Sequence, residues 1–238
     1  MKPRSDNLFH FTKSIDILES ILKNGFYARY CLEDIRWLNS NEDKFIAFPM
    51  VCFCDIPLSR ATEHTEFYGS YGLGLTKDWG IRNNLNPVVY GTDNGLVRDA
   101  IHYFAELSRE NKHGAVLHGM NLVQLSKPLA GEMQIGERVI EKDFFQENEW
   151  RYISLNSDQE EVLRHCDFLE KREQFNEKAK VHNLKFIPSD IKYIFVPTDN
   201  EIPRIVDHLY QVFGDCSHNH LKILQSRVIS IETLNRDI

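Results

Sequence analysis

The run from Phe144 to Ile153, FFQENEWRYI, constrains the fold most, because it combines aromatic and β-branched residues with two carboxylates. Residues of these types favour a β-strand, in which positions i and i+2 point to the same face. Glu147 and Glu149 would then face one cleft and could act on one substrate. Paired carboxylates are the groups that support cleavage of a glycosidic bond. The alternative is that both side chains lie on a solvated strand face, as most surface carboxylates do.

Periodicity elsewhere predicts helices and strands in an order typical of the α+β class. The predicted helices run from Ile15 to a stop at Gly25, over Ser59–Tyr68 with Ser59 as the cap, over Leu96–Glu110, from Ser157 to about His182, and over Ile202–Phe213. The predicted strands are Leu8–Thr12, Phe45–Phe53, Leu73–Thr76, Pro87–Tyr90, Ile191–Val196 and Leu221–Ile231. The sequence contains no repeat and no obvious linker, so we predict a single domain over residues 1–238.

Composition and charge exclude several classes of protein. With 238 residues and 42% hydrophobic side chains, the chain can bury a sizeable core and is not disordered. A net charge of −7 argues against sequence-independent nucleic-acid binding, which depends on neutralising phosphates. The sequence has neither a membrane-spanning run nor a signal-peptide core, so we expect a cytoplasmic protein.

The five cysteines form no disulfide framework, and we expect them to be thiols in a reducing compartment. Cys216, His218 and His220 make a C-x-H-x-H group that could bind zinc. A structural zinc site needs four ligands, and these usually come in spaced pairs. Because no fourth ligand is evident nearby, we predict no metal site.

Three chemical groups follow one another along the chain: an imidazole at His10, a phenol at Tyr68 or Tyr71, and a carboxylate at Glu149. This order resembles the H-Y-E group of ADP-ribosyltransferases, which use NAD. A longer set of motifs, from about residue 8 to the C-terminus, is similar to the bacterial abortive-infection family called AbiGi. These motifs are Leu8–Thr12, Phe53–Asp55, His64–Gly69, Tyr71–Leu75, Lys127–Pro128 and Glu147–Arg151.

The resemblance implies an ADP-ribosyltransferase-like split β-sheet sandwich with flanking helices, holding NAD as a substrate in the cleft. His10 would then bind the NAD ribose, and Thr12 would support it or merely cap the following helix. Tyr68 would stack on the nicotinamide ring, since an aromatic face suits a flat cationic heterocycle. Tyr71 is the alternative for this role.

The same resemblance assigns the remaining site residues. Glu149 would be catalytic, because a carboxylate bonded to the ribose 2′-hydroxyl stabilises the charge left as nicotinamide departs. Glu147 would face the acceptor and orient it or take its proton. No motif locates the arginine that would bind the NAD phosphates. Arg29 is a candidate because a guanidinium can bind phosphate through two hydrogen bonds, and Arg60 is the alternative.

The function implied is an NAD-dependent mono-ADP-ribosyltransferase, acting as the toxin of an anti-phage system. We favour an RNA base over a protein side chain as the acceptor, and we expect a cognate antitoxin or other neutralising partner protein. Two alternatives stay open. One is a non-catalytic antitoxin, or a nucleotide-binding regulator, that keeps the fold. The other is an NAD hydrolase that uses water as the acceptor.

Overall fold

The structure is a computed structural model, and it describes residues 5–39, 44–110, 114–135, 138–153, 162–181 and 183–237. The strands are β1 (Asn7–Thr12), β2 (Phe26–Tyr27), β3 (Arg29–Asp34), β4 (Phe45–Cys54), β5 (Tyr71–Thr76), β6 (Asn86–Pro87), β7 (Val89–Gly91), β8 (Ser126–Pro128), β9 (Ala130–Ile135), β10 (Arg138–Asp143), β11 (Glu149–Ile153), β12 (Leu163–Arg164), β13 (Asn183–Leu184), β14 (Ile191–Val196) and β15 (Val228–Ser230). The α-helices are α1 (Ile15–Asn24), α2 (Ala61–Tyr68), α3 (Lys77–Arg82), α4 (Leu96–Arg109), α5 (Ala115–Gln124), α6 (His165–Ala179), α7 (Ile202–Phe213), α8 (His218–Gln225) and α9 (Ile231–Asp237). This mixture of helices and sheets confirms the predicted α+β class.

The chain forms two compact units. Unit 1 consists of residues 1–27, 52–84 and 183–238, and unit 2 of residues 28–51 and 85–182. Strand β4 carries the chain from unit 2 into unit 1. The predicted single domain over residues 1–238 stays a prediction.

In unit 1 the strands lie in the order β15, β14, β5, β1, and Phe9 of β1 pairs with Cys54 at the end of β4. β14 and β15 are parallel, whereas β5 is antiparallel to both β1 and β14. Buried apolar residues pack on the Phe9 side of β1; they are Phe9, Phe11, Cys54, Ile56, Ala61, Phe195, Ile231 and Leu234.

Helix α1 of unit 1 ends where its sequence predicts. Ser14 caps its first turn by accepting a hydrogen bond from the backbone N–H of Ile17. Gly25 follows the last turn with φ +81°, a conformation that disfavours residues with a Cβ atom. A Cβ at Gly25 would also lie 2.4 Å from the carbonyl oxygen of Leu184, so no larger side chain fits.

In unit 2 the antiparallel pair β3–β4 runs from Arg29 opposite Met50 to Asp34 opposite Phe45. β4 also pairs with β12 and lies beside β11, which in turn pairs with β6. Two separate ribbons complete the unit, the antiparallel β9–β10 and the parallel β7–β8. Helix α6 packs on β3, and this contact forms a small core of Tyr30, Ala47, Leu163, Phe175 and Ala179.

Two predicted elements differ from the structure, and the start of a third lies outside the described residues. Residues 221–231 were expected to be a strand, but α8 extends to Gln225 and only Val228–Ser230 is extended. Ser59 does not cap a helix, because Leu58–Arg60 is a 3₁₀ turn and α2 begins at Ala61. The predicted start of a helix at Ser157 lies outside the described residues.

In the described ranges no helix is both apolar enough and long enough to cross a bilayer. The expected cytoplasmic location stays a prediction.

Candidate functional site

The two predicted catalytic carboxylates flank a break in the backbone. Phe144–Glu147 is a 3₁₀ turn, Asn148 has φ +43° in the left-handed region, and β11 begins only at Glu149. The strand predicted from Phe144 onward is therefore wrong for its first half. Asparagine is one of the few residues besides glycine that tolerates the left-handed conformation, which explains where the turn occurs.

Despite this break, both carboxylates contact the same cation. The Nζ atom of Lys127 lies 2.9 Å from Oε2 of Glu147 and 2.9 Å from Oε2 of Glu149. Lys127 reaches them from β8, which is held in place by its parallel pairing with β7. The Lys127 ammonium also lies 4.5 Å from the ring centroid of Phe144, a cation–π contact.

Glu149 is held from both sides. The Nε atom of Arg151 donates to Glu149 Oε1 at 2.7 Å, while Lys127 donates to Oε2. Arg151 is fully buried and also donates to Oε2 of Glu33 on β3, at 2.8 Å, and to the carbonyl of Gln124, at 2.8 Å. Glu149 and Arg151 are buried and alternate with the half-buried Trp150 and Tyr152 along β11, so both point inward.

Glu147 has a second cation of its own. Lys142 on β10 lies 2.6 Å from Glu147 Oε1. Burial by itself would raise the pKa of Glu147, but the charges of Lys127 and Lys142 outweigh it and hold this pKa below its usual value. Burial likewise opposes the charge on Lys127, yet the carboxylates of Glu149, Glu33 and Glu147 raise its pKa well above the usual value.

We call this group the Glu149 cluster; its members are Glu33, Lys127, Lys142, Glu147, Glu149 and Arg151. It combines three carboxylates with three cations, so its formal charges cancel. Tyr90 supports it by accepting a hydrogen bond from the backbone N–H of Glu149 at 2.9 Å. Both oxygens of Glu149 already accept hydrogen bonds from buried cations, so a sugar hydroxyl would compete with Lys127 and Arg151 for them.

His10 lies in unit 1, on β1. With its Nδ1 atom 2.8 Å from the carbonyl oxygen of Cys52, the neutral ring donates from Nδ1 and leaves Nε2 as an acceptor. The ring packs against Phe26 and Phe53, and burial lowers its pKa. These contacts are those of a histidine that is neutral at physiological pH.

The predicted aromatic partners lie on different sides of β1. Tyr68 packs against the Phe9 core, which is on the opposite face of β1 from His10 because successive side chains alternate. Tyr71 is the cross-strand partner of Thr12, so it shares a face with Thr12 and His10. Its hydroxyl donates to Glu201 at 2.5 Å, and burial together with that carboxylate raises the pKa of Tyr71 to about 12.

The two candidate arginines form ion pairs at the surface. Arg29, on β3 of unit 2, lies 3.6 Å from Glu173, and more than half of each side chain is exposed. Arg60, in unit 1, lies 3.0 Å from Glu63 in the next helix. In the described residues no group of histidine, cysteine and carboxylate side chains is arranged to hold a metal ion.

Sequence reasoning missed Glu33, Lys127 and Lys142 as partners of the two carboxylates. Lys127 lay within a family-like motif but had no assigned role, and Lys142 sits in the charged triplet Glu141–Asp143, which is typical of a solvated surface. Their proximity depends on the pairing of strands far apart in sequence. No local signal in the sequence reports that pairing.

Comparison with known proteins now adds a family and a relative. Residues 24–197 match the model of a family described as "Putative abortive phage resistance protein AbiGi, antitoxin". A curated protein of Lactococcus lactis subsp. cremoris, named abortive phage resistance protein AbiGi, is 32% identical over 205 residues, which cover 72% of this chain and 82% of the relative. No solved structure matches the chain.

These findings correct one prediction made from the sequence. We expected an NAD-dependent ADP-ribosyltransferase, but the matching family is described as an antitoxin, which points away from that enzyme. The geometry offers a physical reason, because Glu147 and Glu149 are bonded to cations of their own unit. The abortive-infection family itself was predicted from the short motifs, and that prediction is confirmed.

The family match spans most of the chain, and the relative is similar over most of its own length. The chain therefore belongs to the AbiGi family of abortive phage resistance proteins.

Proposed function

We propose that this protein is the antitoxin of an abortive phage resistance pair, and that it neutralises a partner toxin by binding to it. The observation that carries the proposal is the match of residues 24–197 to a family described as an antitoxin. In this proposal the cognate partner is a toxin, in place of the neutralising protein expected from the sequence.

The Glu149 cluster supports a binding role. An active site needs a carboxylate that is free to meet its substrate, whereas Glu149 is 6% exposed and bonded to Lys127 and Arg151. A balanced buried cluster of this kind fixes the positions of the strands that carry it. We therefore assign the cluster to the integrity of unit 2.

The test is co-expression with the protein encoded beside this chain's gene. We expect that neighbouring protein to arrest growth when expressed alone, and this chain to restore growth when expressed with it. A matched variant, Glu149→Gln, keeps the side-chain shape, and it should still restore growth when its level of folded protein equals that of the wild type.

A direct enzymatic assay separates this proposal from its opposite. Purified wild-type protein incubated with NAD should release no more nicotinamide than Glu149→Gln, as measured by chromatography. The proposal fails if the wild type arrests growth by itself and releases nicotinamide while Glu149→Gln does neither.

A second candidate of the same kind is a regulator that binds a nucleotide without cleaving it. His10, Thr12 and Tyr71 share one face of the β1–β5 pair, and this observation favours the candidate. This candidate function assumes the ADP-ribosyltransferase-like split β-sheet sandwich, and that fold stays a prediction. Calorimetric titration with NAD tests it: heat of binding that is lost in Tyr71→Ala supports it, and no heat at millimolar NAD rejects it.

A further inference from the structure

Helices α4 and α5 of unit 2 form a hairpin that buries little of its own surface. The structure describes every residue of both helices. Ile101 is the buried residue of α4, and Ala115 is the buried residue of α5. The two helices approach closely where Gly119 meets Phe104, since a Cβ at Gly119 would lie 3.0 Å from the Cβ of Phe104. The opposite side of α4 is left uncovered within unit 2.

That uncovered side carries a regular pattern. Leu96, Asp99, Tyr103 and Glu106 follow one another at spacings of three and four residues, so they form one face of the helix. All four are exposed, Leu96 by 87% and Tyr103 by 59%. We call these four residues the Tyr103 face.

The first turn of α5, the other helix of the hairpin, also has two exposed apolar side chains. Val116 is 60% exposed and Leu117 is 45% exposed. Exposed apolar residues grouped with polar ones are typical of protein-binding surfaces, whereas single ones are ordinary.

The charge of the face is acidic and unbalanced. Asp99 and Glu106 form no ion pair with any residue that the structure describes. On α6, by contrast, Asp167 pairs with Lys171 and Glu177 with Lys180. Unit 2 has 15 Lys and Arg against 21 Asp and Glu, so it carries −6 of the chain's net charge of −7.

We propose that the Tyr103 face is the surface that binds the partner toxin, and that the toxin presents a groove with apolar pockets rimmed by lysine and arginine. This inference rests on the proposed antitoxin function. An amphipathic helix commonly binds by placing residues at such spacings into a groove. Tyrosine is among the side chains that most often dominate the energy of an interface, and complementary charges speed the encounter.

The negative charge of the Tyr103 face favours a basic protein as its ligand over RNA or an anionic membrane. RNA and anionic membranes both carry negative charge, which Asp99 and Glu106 would repel. A groove lined by lysine and arginine offers the matching potential and would also exclude water from around Tyr103.

The experiment measures binding of the purified protein encoded beside this chain's gene to immobilised full-length chain, at 50 mM and 500 mM NaCl. Tyr103→Ala should weaken the wild-type affinity by about 30-fold or more, the loss typical of a dominant interface residue. The double variant Asp99→Lys/Glu106→Lys should lower the association rate by roughly tenfold and reduce its dependence on salt.

Matched controls come from α7 of unit 1 and the residues that follow it. Tyr210 is 65% exposed, and Asp207 and Asp215 are exposed acids near it in sequence. Tyr210→Ala and Asp207→Lys/Asp215→Lys should bind the toxin as the wild type does. Circular dichroism and urea unfolding should show wild-type folding for every variant, because all of the substituted side chains are exposed.

The outcomes distinguish the two proposals. If the wild type binds the neighbouring protein and both Tyr103→Ala and Asp99→Lys/Glu106→Lys bind equally well, the Tyr103 face is not the interface, but the antitoxin function stands. If the wild type does not bind at all, both proposals are overturned. If the wild type binds RNA or anionic vesicles through these residues instead, the Tyr103 face has another ligand and the inference is wrong.

Discussion

Among single residues, Lys127 decides what the two neighbouring glutamates can do. It lies within hydrogen-bonding distance of both, and its charge is the strongest attractive contribution to the lowered pKa of Glu147. The charges of Lys127 and Lys142 therefore favour the ionised form of Glu147, although this side chain is buried. Without the shared cation, two negative groups would face each other there with too little compensation.

Lys127→Met should destabilise the protein by about 3–5 kcal/mol, because it keeps most of the side-chain volume but leaves buried carboxylates without their shared partner. Urea unfolding followed by fluorescence measures this change in the free energy of unfolding. Adding Glu147→Gln to Lys127→Met should recover part of the loss, since one of the opposing charges is then gone.

The control for this substitution is Lys171→Met, which removes the exposed ion pair of Lys171 with Asp167 on α6. It should leave the unfolding midpoint unchanged, because exposed pairs contribute little. If Lys127→Met and Lys171→Met lowered the free energy of unfolding equally, this result would contradict the structural role given to the Glu149 cluster.

His10 supplies a prediction about pH. Burial lowers its pKa in the folded protein below the value of about 6.5 that a histidine has in an unfolded chain. At a pH between the folded and unfolded pKa values, the unfolded chain therefore binds a proton that the folded protein does not. The free energy of unfolding should therefore fall as the pH decreases below about 6.5.

The comparison is with His10→Asn, in which an amide N–H takes the place of Nδ1 opposite the Cys52 carbonyl. Urea titrations at pH 7.5 and pH 5.5 should show a smaller loss of stability on acidification for His10→Asn than for the wild type. Identical losses would mean that His10 is not the titrating group.

Among the elements, the join between the 3₁₀ turn and β11 is where local sequence and structure disagree most. Asn148 lies at the join, with φ +43°, and this one left-handed residue turns the chain between Glu147 and Glu149. The aromatic and β-branched residues around it favour a continuous strand, but contacts made elsewhere in unit 2 fix the turn.

Asn148→Ala should lower the free energy of unfolding by about 1–2 kcal/mol, the cost of placing an alanine in the left-handed region. Asn148→Gly should be close to neutral, because glycine adopts that conformation freely. Differential scanning calorimetry can compare the two variants. A loss for glycine as large as that for alanine would show that the Asn148 side chain, and not its backbone, is what matters.

Periodicity predicted α1, α4, α7 and β14 well because each has one regular apolar pattern and clear end signals. It failed for residues 221–231, since Leu221 and Leu224 are buried at helical spacing while Val228 and Ile229 favour a strand. We expected Glu147 and Glu149 to lie close together because both would be on one face of a continuous strand. That reason is wrong, because Glu147 lies in a 3₁₀ turn and only Glu149 lies in β11. The real cause of their proximity, the approach of Lys127 on β8, depends on long-range pairing that the sequence does not encode locally.

For the whole molecule, charge is distributed unevenly between the two units. Unit 1 is nearly balanced, with 13 Lys and Arg against 14 Asp and Glu, while unit 2 holds almost all of the net negative charge. A surface of that sign repels the phosphate backbone. The predicted RNA acceptor finds no electrostatic support in either unit.

We expect the Kd for a random single-stranded RNA to be about 0.1 mM or higher at physiological salt, which is the weak limit of sequence-independent binding. Fluorescence anisotropy with a labelled oligonucleotide measures it, with a basic RNA-binding protein as the positive control. Salt-sensitive binding in the micromolar range would contradict this expectation and would locate a basic patch that the charge balance of the units conceals.

The three separate segments of unit 1 have a consequence for synthesis on the ribosome. Residues 28–51 and 85–182 are all translated before Ile191, so unit 2 has its whole sequence while β5 still lacks its neighbour β14. Until that strand emerges, the nascent chain carries an unpaired sheet edge, the kind of edge that recruits chaperones or aggregates. Slowing translation just before residue 191 should therefore lower the yield of folded protein.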